Sequence, residues 1–332
     1  MYIILFNLLI VAASTTTCFA LPKKRAFDGC LEASFAPTPD TCAKFEFQDQ
    51  PRGICVELGR GSTAFADIDG FPDVGSVDSK VTHVASMVTN VFEYGTKAFS
   101  YAECANIGDM RGFTCGYIGF TTGTNDASQV VKTYTEEKPG NELAGFLSRL
   151  NDLDALDTCD LGERASTSGL EQFCDAWRRE ACLDNHFAKV QADWAYEHYV
   201  VPSARIAASV GVHSPLGQLV FYDAIIQHGY QFTEPHINVL RLLELTGPRQ
   251  QDESEQQYLT RFLTTRRQMQ CCYPDGVWPA SATRTIDLQS LVDQFDALQN
   301  LDRPLVLNRF GQTVDPNEPA VPNSNSCSGV VA

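Results

Sequence analysis

From Asp78 onward, apolar residues recur at helical spacing. In "VDSKVTHVASMVTNVFEYG" they fall at 81, 84, 87, 88, 91 and 92, the rhythm of an amphipathic helix. Asp78 or Ser79 caps its start, and Gly95 stands just past its end. Glu93 falls in the last turn, at the negative end of the helix dipole, where a carboxylate needs a task or a cationic partner. The rhythm then shortens. "IGDMRGFTCGYIGFTTGTND" (Ile107–Asp126) alternates through Phe113, Cys115 and Tyr117 and carries five glycines. That predicts short strands joined by tight turns, with Asp109 and Arg111 at the first bend. A small hairpin sheet with a solvated charged turn and the wall of a ligand cleft fit this segment equally well.

The remainder reads as helix. "DASQVVKTYTEEKPGNELAGFLSRLNDL" predicts a helix to about Thr135, a break at Pro139-Gly140 and a second helix. Residues 169–212 predict one long amphipathic helix interrupted at Pro202. "SPLGQLVFYDAIIQHG" is nearly all apolar apart from Asp223, the signature of a central buried helix. "HINVLRLLELTG", "EQQYLTRFLTTRRQMQCC" and "TIDLQSLVDQFDALQNL" complete a mainly α, α+β domain without internal repeats. Residues 26–77 form a loop-rich, cysteine-containing extension. Residues 78–311 form the main domain, and 312–332 a Pro/Asn/Ser-rich tail, partly disordered, that Cys327 would pin.

The N-terminus changes this picture. A short apolar core, Ile3 to Ala13, precedes Cys18-Phe19-Ala20, which fits signal-peptide cleavage after Ala20. Lys23-Lys24-Arg25 follows as a dibasic processing site. The run is too short to span a membrane comfortably, and no later stretch is long and apolar enough. The expected location is therefore extracellular. Net charge is −16, and loss of residues 1–25 takes it to −19. That excludes an ordinary nucleic-acid binder and suits a cationic partner or plain solubility.

The chain has twelve cysteines. It has no C-x-x-C pair and no H-E-x-x-H, so a disulfide framework is expected, with no metal site. Loss of Cys18 leaves eleven, hence one free thiol or an intermolecular bridge. Cys104 and Cys115 flank the Asp109 bend and could staple it, while the adjacent Cys271 and Cys272 should take different partners. "ADIDGFPD" (Asp67, Asp69, Asp73) has the outline of a calcium loop but lacks the fuller acidic run, so a turn-rich linker is the better reading.

Two carboxylates carry candidate chemistry: Glu93 at a helix end and Asp109 in the hairpin turn. Glycosidic hydrolysis needs two acids on opposite walls, one protonated to serve the leaving oxygen and one ionised. A hydroxyl near the base would orient the attacking water, and Thr114 is well placed. Against this stands the plain count of 41 Asp and Glu, among which most pairs are solvated.

The ordered constellation decides between these readings. Glu93, followed by G-D-x-R-G-F-T-x-G-x-x-G-F-x-T-G-T-x-D from Gly108 to Asp126, closely resembles the glycoside hydrolase family 46 chitosanases. "EEKPGNELAGFL", "GQLVFYDAIIQHG", "YLTRFLTTR" and "NLDRPLVLNRFG" match further family blocks in order, so the resemblance covers Asp78 to about Gly311. It implies a lysozyme-like fold of two mainly helical lobes flanking a substrate cleft, with a small antiparallel sheet on one wall. It implies Glu93 as general acid, Asp109 as general base and Thr114 as holder of the water. Arg111 and Asp126 would line the sugar subsites. Asp223, Arg266 and Arg284 would form a supporting ionic network, although "ATRTID" departs from the family's Ser-Arg-Val-Asp spacing around the second arginine. His228 fits a family position and reads as a core histidine. The chain is slightly shorter than the family between Glu93 and Asp109, which weakens Tyr101 and Glu103 as sugar contacts. The expectation is a secreted, monomeric, cofactor-free, inverting endo-chitosanase acting on chitosan or its oligosaccharides. The competing readings are a hydrolase of N-acetylated polysaccharide and a catalytically silent carbohydrate-binding protein. The acidity disfavours anionic peptidoglycan, and the presence of Glu93, Asp109 and Thr114 together disfavours silence.

Overall fold

The structure is a computed structural model. It describes residues 29–31, 38–45, 70–156, 160–230, 237–273, 277–323 and 327–330. The signal segment, the dibasic site, Asp67 and Asp69 of the acidic loop, Cys55 and Cys159 lie outside these. Among the described residues the helices are α1 (Pro39–Ala43), α2 (Ser79–Tyr94), α3 (Asp126–Glu137), α4 (Leu147–Asp154), α5 (Leu161–Arg164), α6 (Phe173–Leu183) and α7 (Asn185–Ala195). They continue with α8 (Val201–Ser209), α9 (Pro215–His228), α10 (Val239–Thr246), α11 (Glu255–Cys272), α12 (Val277–Ser281), α13 (Thr283–Asp293) and α14 (Phe295–Leu298). Strands β1 (Cys104–Asn106), β2 (Phe113–Cys115) and β3 (Phe120–Thr121) make one antiparallel sheet in the order β1-β2-β3. Strands β4 (Leu305–Leu307) and β5 (Gln312–Val314) make a separate hairpin. The architecture is the mainly helical, lysozyme-like one expected, with its small antiparallel sheet.

Helix α9 is the axis of the core. Ser214 caps it, accepting from Gly217 N, and Pro215 opens it with the fixed φ that a first turn needs. Every residue from Leu219 to His228 is buried, so the apolar sequence had no polar face to spare. Helices α2 and α8 pack along it, and α11 packs on α13. Helix α2 starts and stops where its signals fall: Asp78 accepts from Lys80 N, and Gly95 takes φ 71°, a left-handed stop that only glycine adopts cheaply.

Two expectations need correction. The single helix over 169–212 breaks at Asp184, whose extended backbone ends α6 and whose side chain caps α7 by accepting from His186 N at 2.9 Å. Pro202 does not interrupt the helical path. It sits in the first turn of α8, preceded by a π turn, Tyr196–Val200, in which Val201 N reaches back to Tyr196 O. The π turn shifts the hydrogen-bond ladder ahead of the proline, so its missing N–H costs little.

The described part of the C-terminal tail is tied down. Beyond β5, Phe99 N donates to Val321 O and Asn323 N to Phe99 O, and Cys327 bonds Cys182. Cys271 and Cys272 diverge as expected, to Cys30 and Cys42. Cys104 can bridge either Cys115, its cross-strand partner, or Cys174 on α6. The three sulfurs lie within 4.8 Å of one another, and one sulfur makes one bridge, so the expected staple is one of two pairings.

Candidate active site

The first wall is built on helices. Glu93 is buried near the end of α2, and Arg284 Nη1 donates to its Oε1 at 2.7 Å. Its Oε2 is buried with no hydrogen-bond partner among the described residues. Arg284, in the first turn of α13, uses the other arm of its fork on Asp223, donating from Nη2 to Oδ1 at 2.7 Å. Its guanidinium also lies over the Phe92 ring, 4.9 Å from the centroid. Asp223 Oδ2 is 2.8 Å from Arg266 Nη1, and both side chains are fully buried. Arg266 Nε donates to His228 Nε2 at 3.0 Å. That bond makes Nε2 an acceptor and puts the neutral ring's proton on Nδ1. Burial, followed by the charges of Arg266 and Arg284, holds His228 well below the usual imidazole range. Glu93, Arg284, Asp223, Arg266 and His228 are thus one connected set, and His228 is the buried core histidine the sequence suggested. Such charges persist without water only when each has a partner.

The second wall is built on turns. Asp109 is half-buried, and its Oδ1 accepts from Arg111 N at 3.1 Å, an Asx turn that sets the bend. Gly108, Met110 and Gly112 all have positive φ, 74°, 66° and 78°. A left-handed methionine costs about 1–2 kcal/mol, strain concentrated beside a carboxylate. Gly112 has no room for more: a Cβ there would stand 2.3 Å from Thr122 Oγ1, which accepts from Phe113 N. Thr114 lies opposite Ala105 and Thr121, and its hydroxyl is buried without a hydrogen-bond partner among the described residues. Arg111 is buried in the same wall, where its charge acts on Tyr199. Tyr94, next to Glu93, donates its hydroxyl to Gly116 O at 3.0 Å and so ties the end of α2 to the sheet.

Asp126 opens α3 and is buried. Its Oδ1 accepts from Thr121 N at 2.8 Å, Ala127 N at 2.9 Å and Thr124 Oγ1 at 3.1 Å. Its Oδ2 accepts from Tyr199 Oη at 3.3 Å. Burial pushes its carboxyl up to about 6, against the pull of these four donors. The structure therefore joins Asp126 to the Thr114 wall through Thr121, with much of its acceptor capacity already engaged inside the protein. Tyr101 stacks on Phe99, and its carbonyl accepts from Trp177 and Gln191. Glu103 is exposed.

Two contributors escape sequence reasoning. Tyr199 reaches Asp126 from the π turn, and the only hint was Pro202 shortly after it. Arg164, buried on α5, donates to Gly123 O at 2.7 Å, Leu156 O at 2.9 Å and Asn125 Oδ1, bracing the turn ahead of Asp126. Its helix is too short for periodicity to reveal. Among the described residues, the Cys104, Cys115 and Cys174 cluster is the one group of potential metal ligands brought together, and it is accounted for by disulfide chemistry. No helix among them is long and apolar enough to cross a membrane.

The sequence profile of glycosyl hydrolase family 46 matches residues 87–299, a span that includes both walls. The chain belongs to this family. It is 32% identical over 222 residues to a chitosanase of Bacillus subtilis (strain 168), covering 65% of this chain and 75% of that protein. It is 31% identical over 218 residues to a chitosanase of Streptomyces sp. (strain N174), covering 65% and 74%. Among solved structures, a mutant chitosanase from Bacillus subtilis MY002 complexed with six GlcN superposes with a TM-score of 0.62 at 28% identity. That match covers 72% of this chain and 99% of the other. The Gynuella sunshinyii family 46 chitosanase complexed with chitotetraose gives a TM-score of 0.62 at 28% identity, covering 72% and 98%.

Proposed function

We propose that this glycoside hydrolase is a secreted endo-chitosanase. It cleaves β-1,4 links between glucosamine units of chitosan with inversion and without a cofactor. The observation that carries the reading is the state of Glu93. One oxygen is fixed by Arg284, and the other is buried without a partner among the described residues. Oε2 is thus the oxygen left to carry a proton to the leaving glycosidic oxygen. Asp109, on the strained turn of the facing wall, takes the proton of the attacking water. The Thr114 hydroxyl, buried without a partner among the described residues, is the group that orients that water. A water-activating pair of this kind stands roughly 6.5–9.5 Å apart, and the anomeric centre inverts. Arg111 and Asp126 line the sugar subsites, with Oδ2 of Asp126, which among the described residues holds only the Tyr199 bond, as the oxygen for a glucosamine ammonium. Asp223, Arg266 and Arg284 hold the acid in place. The acidic surface, net −16 for the full chain, concentrates a polycation near the cleft.

A reducing-sugar assay on deacetylated against N-acetylated polymer tests this. Release from the deacetylated polymer supports it. Release from the acetylated polymer alone points to a chitinase or muramidase, and release from neither to a silent binding protein.

A further inference from the structure

Residues 29–31 and 38–45 lie ahead of the region matched by the family, and both pieces are fastened to α11, the helix that carries Arg266. Cys30 bonds Cys271 and Cys42 bonds Cys272. Lys44 Nζ donates to Gln268 Oε1 at 2.6 Å, and Phe45 is buried in the main core. The two anchors differ in what lies beneath them.

Gly29 lies against the junction of α12 and α13. A Cβ added there would stand 2.6 Å from Ala282 C and 2.6 Å from Thr283 N, which are backbone atoms that cannot swing aside. Cys30 Sγ is 3.7 Å from Pro279 O. Cys30, Cys271 and Ala282 form a small apolar cluster apart from the main core, with Ala282 wholly buried. Thr283 is the first residue of α13 and Arg284 the second. The N-cap of α13 is Ala282, which supplies no side-chain hydrogen bond, so packing rather than a polar cap must fix that helix start. The neighbouring α12 stands in the same structure. Trp278 packs on the His228 ring at 4.7 Å, and Ser281 Oγ accepts from Gln270 Nε2 at 3.2 Å. The α12–α13 junction thus lies between the Gly29–Cys30 segment and the ion network.

We propose that Gly29 and Cys30 are positioning residues for catalysis. Their backbone is packed on Ala282–Thr283 and cross-linked to α11. They fix the first turn of α13 and thereby the Arg284 fork that holds Glu93. This rests on Glu93 being the general acid. The physical reason is the fork itself. Arg284 makes two 2.7 Å bonds to two different carboxylates, and a small displacement of its backbone breaks that geometry at both ends. Misplacement of about 1 Å in a catalytic group costs up to about a hundredfold in rate. Gly29 has an ordinary φ, so replacing it tests space and not backbone strain.

The test measures kcat and KM on chitosan together with Tm. Gly29→Ala is expected to lower kcat by about tenfold or more while KM stays within about twofold. The pair Cys30→Ser/Cys271→Ser, which removes the tether without adding volume, is expected to lower kcat less steeply in the same manner. The pair Cys42→Ser/Cys272→Ser removes the link between α1 and α11 but leaves the Gly29–Cys30 packing on Ala282–Thr283 in place, and is expected to lower Tm with kcat unchanged. Wild-type kcat in Gly29→Ala and in the Cys30/Cys271 pair, whatever happens to Tm, overturns the proposal. If Gly29→Ala fails to fold, the two cysteine pairs decide: equal effects on kcat overturn it, and an effect confined to the Cys30/Cys271 pair supports it. Glu93→Gln assayed alongside separates the two failures. If Glu93→Gln stays active, the acid is misassigned. If it is inactive while Gly29→Ala is not, the positioning proposal alone falls.

Discussion

Glu93 and Asp109 are the same kind of group held by opposite means. Glu93 stands on a helix, buried, with a guanidinium on one oxygen and a second carboxylate on the far arm of that guanidinium. Asp109 stands on a glycine-rich turn, half-buried, with a backbone N–H on one oxygen. The helical wall gains precision from side chains whose own partners are fixed, at the cost of burying several charges. The turn wall gains a tight bend from residues that tolerate positive φ, at the cost of local strain at Met110. The lesson is that the two carboxylates proposed as acid and base need not share a design. Glu93 depends on distant helices, and Asp109 depends on its immediate backbone.

If both walls serve one reaction, both carboxylates must matter. Glu93→Gln and Asp109→Asn should each cut turnover by at least about two orders of magnitude, since general acid–base groups contribute roughly 10²–10⁴. Thr114→Ala should cost less, because its proposed role is to orient water and not to exchange a proton with the substrate. An Asp109→Asn variant keeping more than about a tenth of wild-type turnover would remove the turn wall from the chemistry.

The walls should differ most in stability. Arg284→Ala leaves buried Glu93 without its cation and Asp223 with Arg266 alone, and should destabilise the fold by about 3–5 kcal/mol. Asp109→Ala should change it by less than about 1 kcal/mol. Chemical denaturation of the two variants compares them directly, and equal losses would erase the distinction.

Asp126 sharpens the comparison within the turn wall. Burial raises its carboxyl to about 6 in the fold, above the usual aspartate range. An acid raised on folding contributes stability that is present below its unfolded pKa and lost as pH rises through its folded one. From about pH 4 to about pH 7, wild type should therefore lose about 2–3 kcal/mol relative to Asp126→Asn. A stability difference that does not change with pH would mean that Asp126 is better solvated than its burial indicates.

The smallest effect tests the strain. Met110→Gly should stabilise the fold by about 0.5–1 kcal/mol, the left-handed penalty less the entropy of a glycine. A loss of stability would show that the methionine side chain contributes more than its backbone costs.

Much of this was legible in the sequence because local chemistry marked it. Asp78 and Gly95 delimit α2, Ser214-Pro215 opens α9, and the glycines around Asp109 announce tight turns. Asp223 is the one charge on an apolar helix, so its need for partners is legible in the sequence. What was not legible depends on contacts distant in sequence. The break at Asp184 is invisible to a hydrophobic pattern that continues through it, because a cap and a Tyr134 bond decide it. Tyr199 and Arg164 reach the Asp126 turn from other elements. The packing of Gly29 on Ala282–Thr283 joins residues at opposite ends of the chain, which no local pattern encodes.

The central claim is that Glu93 and Asp109 act from opposite sides of the sugar with a water between the base and the anomeric carbon. The stereochemistry of the first product tests it most directly. Proton NMR of glucosamine hexamer during early turnover should show the α-anomer appearing first from the β-linked substrate. A β-anomer appearing first would mean retention through a covalent intermediate, and would contradict the assignment of Asp109 as a base acting on water.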